Sequence, residues 1–186
     1  MPPIQAVFVD RDGTLGGTGH FIHPRDFQLY PSSLEALRLM KESGMRILAF
    51  TNQHNISKGK ATELDFLKEF ESYGFDAAYI CPHEPEEGCN CHKPRPGMLL
   101  KAASEFNLDL TRCAVIGDVG STDMLAAAAV GARRVLVETG WGKPSLEKYR
   151  DKWYEQAAPH YIAKDLPDAA RWLIGLNEQG QSAPAD

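Results

Sequence analysis

Ile4-Gln5-Ala6-Val7-Phe8-Val9-Asp10-Arg11-Asp12-Gly13-Thr14 is an almost unbroken apolar run that ends abruptly in two acids, a glycine and a threonine. Four to six branched or aromatic residues without polar alternation describe a strand buried on both faces, the habit of a parallel sheet. Residues two apart on an extended chain point the same way. Asp10 and Asp12 therefore share a side, roughly 6–7 Å apart along the chain at ~3.3 Å per residue. Gly13 permits a turn that aims backbone N–H groups at a bound anion, and Thr14 can fix that turn through its hydroxyl. Taken alone, D-x-D after a strand is only a polar turn.

Working outward, the same alternation recurs. Pro31-Ser32-Ser33 opens a helical stripe at Leu34, Leu37, Leu39 and Met40 that stops at Gly44. Arg46–Phe50 reads as a second strand. Lys60–Tyr73 is helical, with Leu64, Leu67 and Phe70 as its apolar stripe. Ala77–Ile80 is a third strand, Pro96–Phe106 a helix, Cys113–Ile116 a fourth strand, Ser121–Val130 an Ala-rich helix and Arg134–Val137 a fifth strand. Strands alternating with helices predict an α/β fold: a Rossmann-like three-layer sandwich with a central, mainly parallel sheet. Residues 1–176 form one domain in this reading, and 177–186, rich in Gln, Gly, Ser, Ala and Pro, form a disordered tail. No segment between the strand-end motifs is long enough for a large cap domain, so the site should be open.

The 186 residues carry a net charge of −5. That balance provides no electrostatic footprint for nucleic acid or an anionic membrane. No apolar run reaches the ~20 residues of a membrane span, and the N-terminus lacks a signal-peptide layout. The expectation is a cytoplasmic monomer whose cysteines stay reduced.

Ligands of open parallel sheets bind beyond the carboxyl ends of the strands. Those ends carry Asp10 and Asp12, then Thr51 and Asn52, then Lys93 across a loop, then Gly117 and Asp118, with Asp123 further on. Carboxylates, a hydroxyl, an amide and an ammonium suit a phosphate together with a divalent cation. The loop from Pro82 to Arg95 has no periodicity and needs something to hold it. Cys81-Pro82-His83 and Cys89-Asn90-Cys91 supply four soft or borderline ligands, the donor set of a closed, structural tetrahedral Zn²⁺ site. The alternative is three reduced cysteines packed as small apolar groups. Cys113, on a strand, reads as core.

Asp10-Arg11-Asp12-Gly13-Thr14, Thr51-Asn52-Gln53, Lys93-Pro94 and Gly117-Asp118 with Asp123 resemble, in order, the four motifs of the haloacid dehalogenase-like superfamily. The resemblance implies Asp10 as nucleophile and Asp12 as general acid, then base. It implies Thr51 and Lys93 as phosphoryl ligands. Mg²⁺ would be held by Asp10, the Asp12 main-chain carbonyl and Asp118. Asp123 either orders metal-bound water or starts the following helix. Adding the zinc loop and Lys93-Pro94-Arg95-Pro96-Gly97-Met98, the chain is similar to D-glycero-D-manno-heptose 1,7-bisphosphate phosphatases and to the related histidinol-phosphate phosphatases. Phe21-Ile22-His23 is similar to their substrate loop. The chain departs from that pattern at three places. His92 stands where Arg precedes the motif-three Lys, Val119 where Lys follows the motif-four Asp, and His54-Asn55 where small residues follow Thr-Asn-Gln. Two expectations follow: a different, singly phosphorylated substrate, or a distal phosphate held by Arg11, His54, Lys58 or His92. Two whole-protein alternatives stand beside a sugar-phosphate phosphatase: the same chemistry on histidinol phosphate or a nucleotide, and, of a different class, a zinc-stabilised binding protein without turnover.

Overall fold

The computed structural model describes residues 2–181. In chain order the main elements are β1 (Ala6–Val9), α1 (Ser33–Glu42), β2 (Arg46–Asn52), α2 (Glu63–Ser72), β3 (Ala77–Cys81) and α3 (Gly97–Phe106). They continue with β4 (Cys113–Gly117), α4 (Leu125–Ala129), β5 (Arg133–Val137), α5 (Gly142–Glu147), α6 (Tyr154–Ala157), β6 (Tyr161–Ala163) and α7 (Leu166–Gln181). The six strands form one sheet in the order β3-β2-β1-β4-β5-β6, and every pairing is parallel.

Pleating sorts the apolar runs into two cores. Val7, Val9, Ile47, Ala49, Ala114 and Ile116 face α1, α2 and α7. Ala6, Phe8, Leu48, Phe50, Cys113 and Val115 face α3, α4 and α6. This two-sided burial is why the strands read as continuous apolar runs. β1 sits centrally, with its chain neighbour β2 on one side and the distant β4 on the other. The strand order reverses between β1 and β4, and there the ends carrying Asp10 and Asp118 lie side by side. Open parallel sheets bind ligands at such a switch point.

Several sequence expectations are corrected. Leu34 and Leu39 of α1 are 49% and 38% exposed, whereas Ser33, Ala36, Leu37 and Met40 are buried. In α2 the buried face is Phe66, Glu69 and Phe70, and Leu64 and Leu67 point outward. Leucines on both faces left the stripe ambiguous, and docking chose the aromatic side. The helix also starts at Glu63 rather than Lys60, because Thr62 and Asp65 close a reciprocal capping box there. The expected helix from Ser121 begins instead with one wide π-helical turn, Gly120–Met124, before α4. Gly120 is required in that turn, since a Cβ would overlap the ring of the fully buried Trp153.

The tail expected from residue 177 starts too early. α7 runs through Gln181, and residues 182–186 lie outside the described ones. Asn177 is buried, and its Oδ1 accepts the Ile4 N–H at 2.8 Å, tying the last helix to the start of β1. Asn177→Ala should therefore cost about 1–2 kcal/mol of unfolding free energy by stranding that N–H. Urea denaturation would measure it, and an unchanged midpoint would refute the role.

Candidate active site

β1 delivers Asp10 and Asp12 to one side of the chain, as its alternation requires, and Arg11 to the other. Asp10 and Asp12 line a cleft of about 490 Å³ with Thr51, Asn52, Gln53, His54, His92, Lys93 and Asp123. Lys93 is the charge centre. Its Nζ donates to Asp10 Oδ1 at 2.8 Å, to Asp123 Oδ1 at 2.7 Å and to the Phe50 carbonyl at 3.2 Å. Burial works against its charge, but Asp10 and Asp123 outweigh that and hold the ammonium above its ordinary pKa. Asn52 clamps the Lys93 backbone from both sides, accepting the Lys93 N–H at 2.9 Å and donating to its carbonyl at 3.3 Å. The amide expected to meet substrate is thus occupied with placing Lys93.

Asp10, Asp118 and Asp123 bring carboxylate oxygens within 4.8 Å of one another, all three residues buried. Three carboxyl groups thus share one ammonium in a buried corner of the cleft. Burial first, then Asp10 and Asp123, push the Asp118 carboxyl well above the usual range. Asp123 is pushed up to about 6 by burial, with Lys93 pulling the other way. A divalent cation is the charge this donor set lacks. Asp118 is fixed in orientation: its Oδ2 accepts the Trp141 N–H at 2.7 Å, and Thr14 Oγ1 lies 3.5 Å from Oδ1. Gly13, at φ 85°, packs so closely that a Cβ would overlap Asp118 Oδ2. Asp123 Oδ2 accepts the Val119 N–H at 3.0 Å. Its Oδ1 takes the Lys93 ammonium, so this carboxylate helps to orient Lys93.

Asp12 is a different carboxyl. Arg11 Nη1 donates to its Oδ1 at 2.7 Å and Gln53 Nε2 to its Oδ2 at 2.6 Å. Gln53 also donates to Thr51 Oγ1 at 2.9 Å. Burial raises Asp12 to about 6 against the pull of Arg11, so it can hold a proton near neutrality.

The structure corrects the expectation that Arg11 meets substrate. Its side chain is fully buried and its guanidinium pairs with Glu69. Glu69 escaped the sequence reading, although an acid three residues after Phe66 on a buried stripe was the available signal. Gln53 was quoted with its motif but given no role. His54 and His92 do line the cleft, joined by His20, which was not foreseen. Among the described residues, no Lys or Arg other than Lys93 lines it. Lys58 pairs with Glu84 at 3.1 Å instead. Cys113 is buried in the sheet.

At the edge of the cleft Cys81, His83, Cys89 and Cys91 gather their ligand atoms within 4.8 Å. Cys91 Sγ lies 3.2 Å from both Cys81 Sγ and His83 Nδ1. Burial drives the Cys81 thiol up. Against its own burial, the His92 N–H and the neighbouring thiols bring Cys89 down to about 7. Thiols this close, with one poised to ionise, fit a tetrahedral Zn²⁺. His92 touches the cluster too, its Nδ1 3.8 Å from Cys81 Sγ. No helix among the described residues is long and apolar enough to cross a membrane.

Comparison with known proteins agrees with this geometry. A HAD-hydrolase-like family model matches residues 90–169. The D-glycero-β-D-manno-heptose-1,7-bisphosphate 7-phosphatase of Yersinia pestis is 36% identical over 182 residues, covering 89% of this chain and 93% of that protein. Its namesake from Escherichia coli K12 is 34% identical over 154 residues, covering 74% and 81%. The crystal structure of D,D-heptose 1,7-bisphosphate phosphatase from B. bronchiseptica, complexed with magnesium and phosphate, superposes with a TM-score of 0.79 at 27% identity, covering 92% of this chain and 99% of that one. The chain therefore belongs to the haloacid dehalogenase-like hydrolases, in the D-glycero-D-manno-heptose-1,7-bisphosphate 7-phosphatase family, and is a phosphoric monoester hydrolase.

Proposed function

We propose that this chain hydrolyses a phosphomonoester of a small sugar bisphosphate through a phospho-aspartate on Asp10. Mg²⁺ is the catalytic metal in this reading and Zn²⁺ the structural one. The observation that carries it is the buried Asp10–Asp118–Asp123 cluster with Lys93 as its sole ammonium among the described residues. Such a cluster is costly unless it serves a cation and a phosphate. Bound between Asp10, the Asp12 main-chain carbonyl and Asp118, Mg²⁺ would supply the positive charge that lets a carboxylate approach a phosphate dianion.

Lys93 and Thr51 hold the phosphoryl oxygens. Asp10 attacks phosphorus as the bond to the sugar oxygen breaks, and Asp12 passes its proton to that oxygen. Asp12, now a carboxylate, takes a proton from the water that attacks the phospho-aspartate. Phosphate leaves and Asp10 is regenerated.

The substrate favoured is D-glycero-D-manno-heptose 1,7-bisphosphate, because the relatives that cover most of the chain carry that name. A second reading has its own observation. The cleft offers His20, His54 and His92, rather than a guanidinium fork, to whatever lies beyond the transferred phosphoryl group. That lining suits a singly phosphorylated alcohol such as histidinol phosphate. A screen of sugar bisphosphates, sugar monophosphates, histidinol phosphate and nucleotides, ranked by kcat/KM, separates the two. The heptose bisphosphate should lead by about 100-fold, the discrimination a few well-placed polar contacts provide. A flat ranking or a lead for a monophosphate would reject the bisphosphate reading.

A further inference from the structure

A general acid must keep its proton aimed at the leaving oxygen, so something has to fix the Asp12 carboxyl. Arg11 is entirely buried and borders no part of the cleft. Its guanidinium lies 3.8 Å from the Phe27 ring centroid and 4.9 Å from that of Phe66. Nε and Nη2 donate to the two oxygens of Glu69 at 2.6 and 2.8 Å. Nη1 donates to Asp12 Oδ1 at 2.7 Å, and Nη2 also reaches the Ile22 carbonyl at 3.0 Å.

A buried ion pair is a poor source of stability, since apolar side chains of similar volume commonly do as well. What a fork gripped at both ends provides is direction. Two aromatic rings and a bidentate carboxylate leave Nη1 a single aim, and that aim is Asp12.

We propose that Glu69 and Arg11 are positioning residues for the general acid: Glu69 locks the guanidinium, and the guanidinium locks Oδ1 of Asp12, leaving Oδ2 to carry the proton to the leaving oxygen. The proposal rests on the reading of Asp12 as that acid. Gln53, at the cleft wall, supports Oδ2 without blocking it, because an N–H donor can share an oxygen that also bears a proton. The bond to Ile22 extends the device. Ile22 follows His20 and Phe21, which line the cleft, so one guanidinium sets both the acid and the adjoining wall.

The need for this proton depends on the leaving group. A sugar alkoxide leaves poorly and requires it as the P–O bond breaks. A nitrophenolate leaves without it. The test is single-turnover phosphorylation of Asp10 in Mg²⁺, with glucose 6-phosphate or heptose bisphosphate as the alkyl ester and 4-nitrophenyl phosphate as the aryl ester. Two proteins are compared with wild type: Glu69→Gln and the double variant R11M/E69L. The double variant removes the Arg11–Glu69 pair together, and Asp12 keeps its bond from Gln53 and can take up a proton, so the fold stays testable if Glu69→Gln does not fold. The alkyl ester should react about 100-fold more slowly, the usual worth of a general acid, while the aryl ester loses less than about threefold. Equal losses on both esters, or an undiminished alkyl rate in the folded double variant, would overturn the proposal. A wild-type protein that never forms phospho-Asp10 would instead overturn the reading beneath it, and this proposal with it.

Discussion

Asp10→Asn should fold as well as the wild-type protein and release phosphate about 10⁴-fold more slowly or worse, the scale seen when a covalent nucleophile is removed. The amide has the same shape but cannot attack phosphorus. The neighbouring carboxyls are committed elsewhere: Asp12 takes bonds from Arg11 and Gln53, Asp118 is turned towards the Trp141 N–H, and Asp123 is held at both oxygens. Stability should not suffer. Lys93 keeps its bond to Asp123, and removing the Asp10 charge relieves the carboxylate crowding that raises Asp118. Two readouts check this. Thermal unfolding should give a Tm equal to or above that of wild type, and intact-mass analysis after quenching should show a phosphoryl adduct in wild type alone. Residual turnover above about one part in a hundred would place the nucleophile elsewhere.

Stripping zinc should be the second large effect. Between Cys81 and Lys93 no residue is fully buried, and only Cys89 and Cys91 pack against the neighbouring core, so the loop has little core of its own to hold its shape. In the proposed zinc-bound form Cys81, His83, Cys89 and Cys91 would gather it, and Lys93 follows Cys91 by two residues. Among the described residues Lys93 is also the only ammonium on Asp10 and Asp123. Loss of the cluster should therefore reach the phosphoryl site through the backbone that Asn52 clamps. Cys91→Ser, or prolonged chelation with Mg²⁺ restored afterwards, should lower kcat/KM by about 100-fold, the upper range for disturbed metal support. Amide exchange across 82–92 should rise at the same time. Elemental analysis of the untreated protein should show about one zinc per chain. Less than half an equivalent, or full activity in a zinc-free sample, would make the cysteines a packing cluster instead.

The sequence was most legible where a residue's role depends on its position along one strand. An apolar run ending in Asp10-Arg11-Asp12-Gly13-Thr14 specifies a buried parallel strand with two acids on one side of its end. The later strand ends could be read in the same way. Helix faces were less legible. α1 and α2 carry leucines around much of their circumference, so periodicity alone could not tell Leu64 and Leu67 from Phe66 and Phe70. The segment after β5 was less legible: α5 and α6 are one to two turns long and β6 is three residues, too short for either period to show, although the 16-residue α7 carries a helical stripe at Leu166, Ala169, Ala170 and Leu173 that the sequence reading missed.

Arg11 marks the boundary between the two kinds of information. The alternation that places Asp10 and Asp12 together also sends Arg11 to the opposite side, so its absence from the cleft was implicit in the strand. Its partner was not. Glu69 lies 58 residues away on α2, and only the packing of that helix against the sheet brings its carboxylate to the guanidinium. The same holds for Asp123. Its charge was visible in the sequence, but the π-helical turn and the crossing of Lys93 decided that it orients the ammonium. By itself, then, the sequence determined the fold class, the acids of the strand ends and the cysteine–histidine set of the loop, because strand period and residue spacing are local properties of the chain. The tertiary structure alone decided which charges meet. A buried ion survives only beside its counter-charge, and that partner comes from wherever the fold closes the distance.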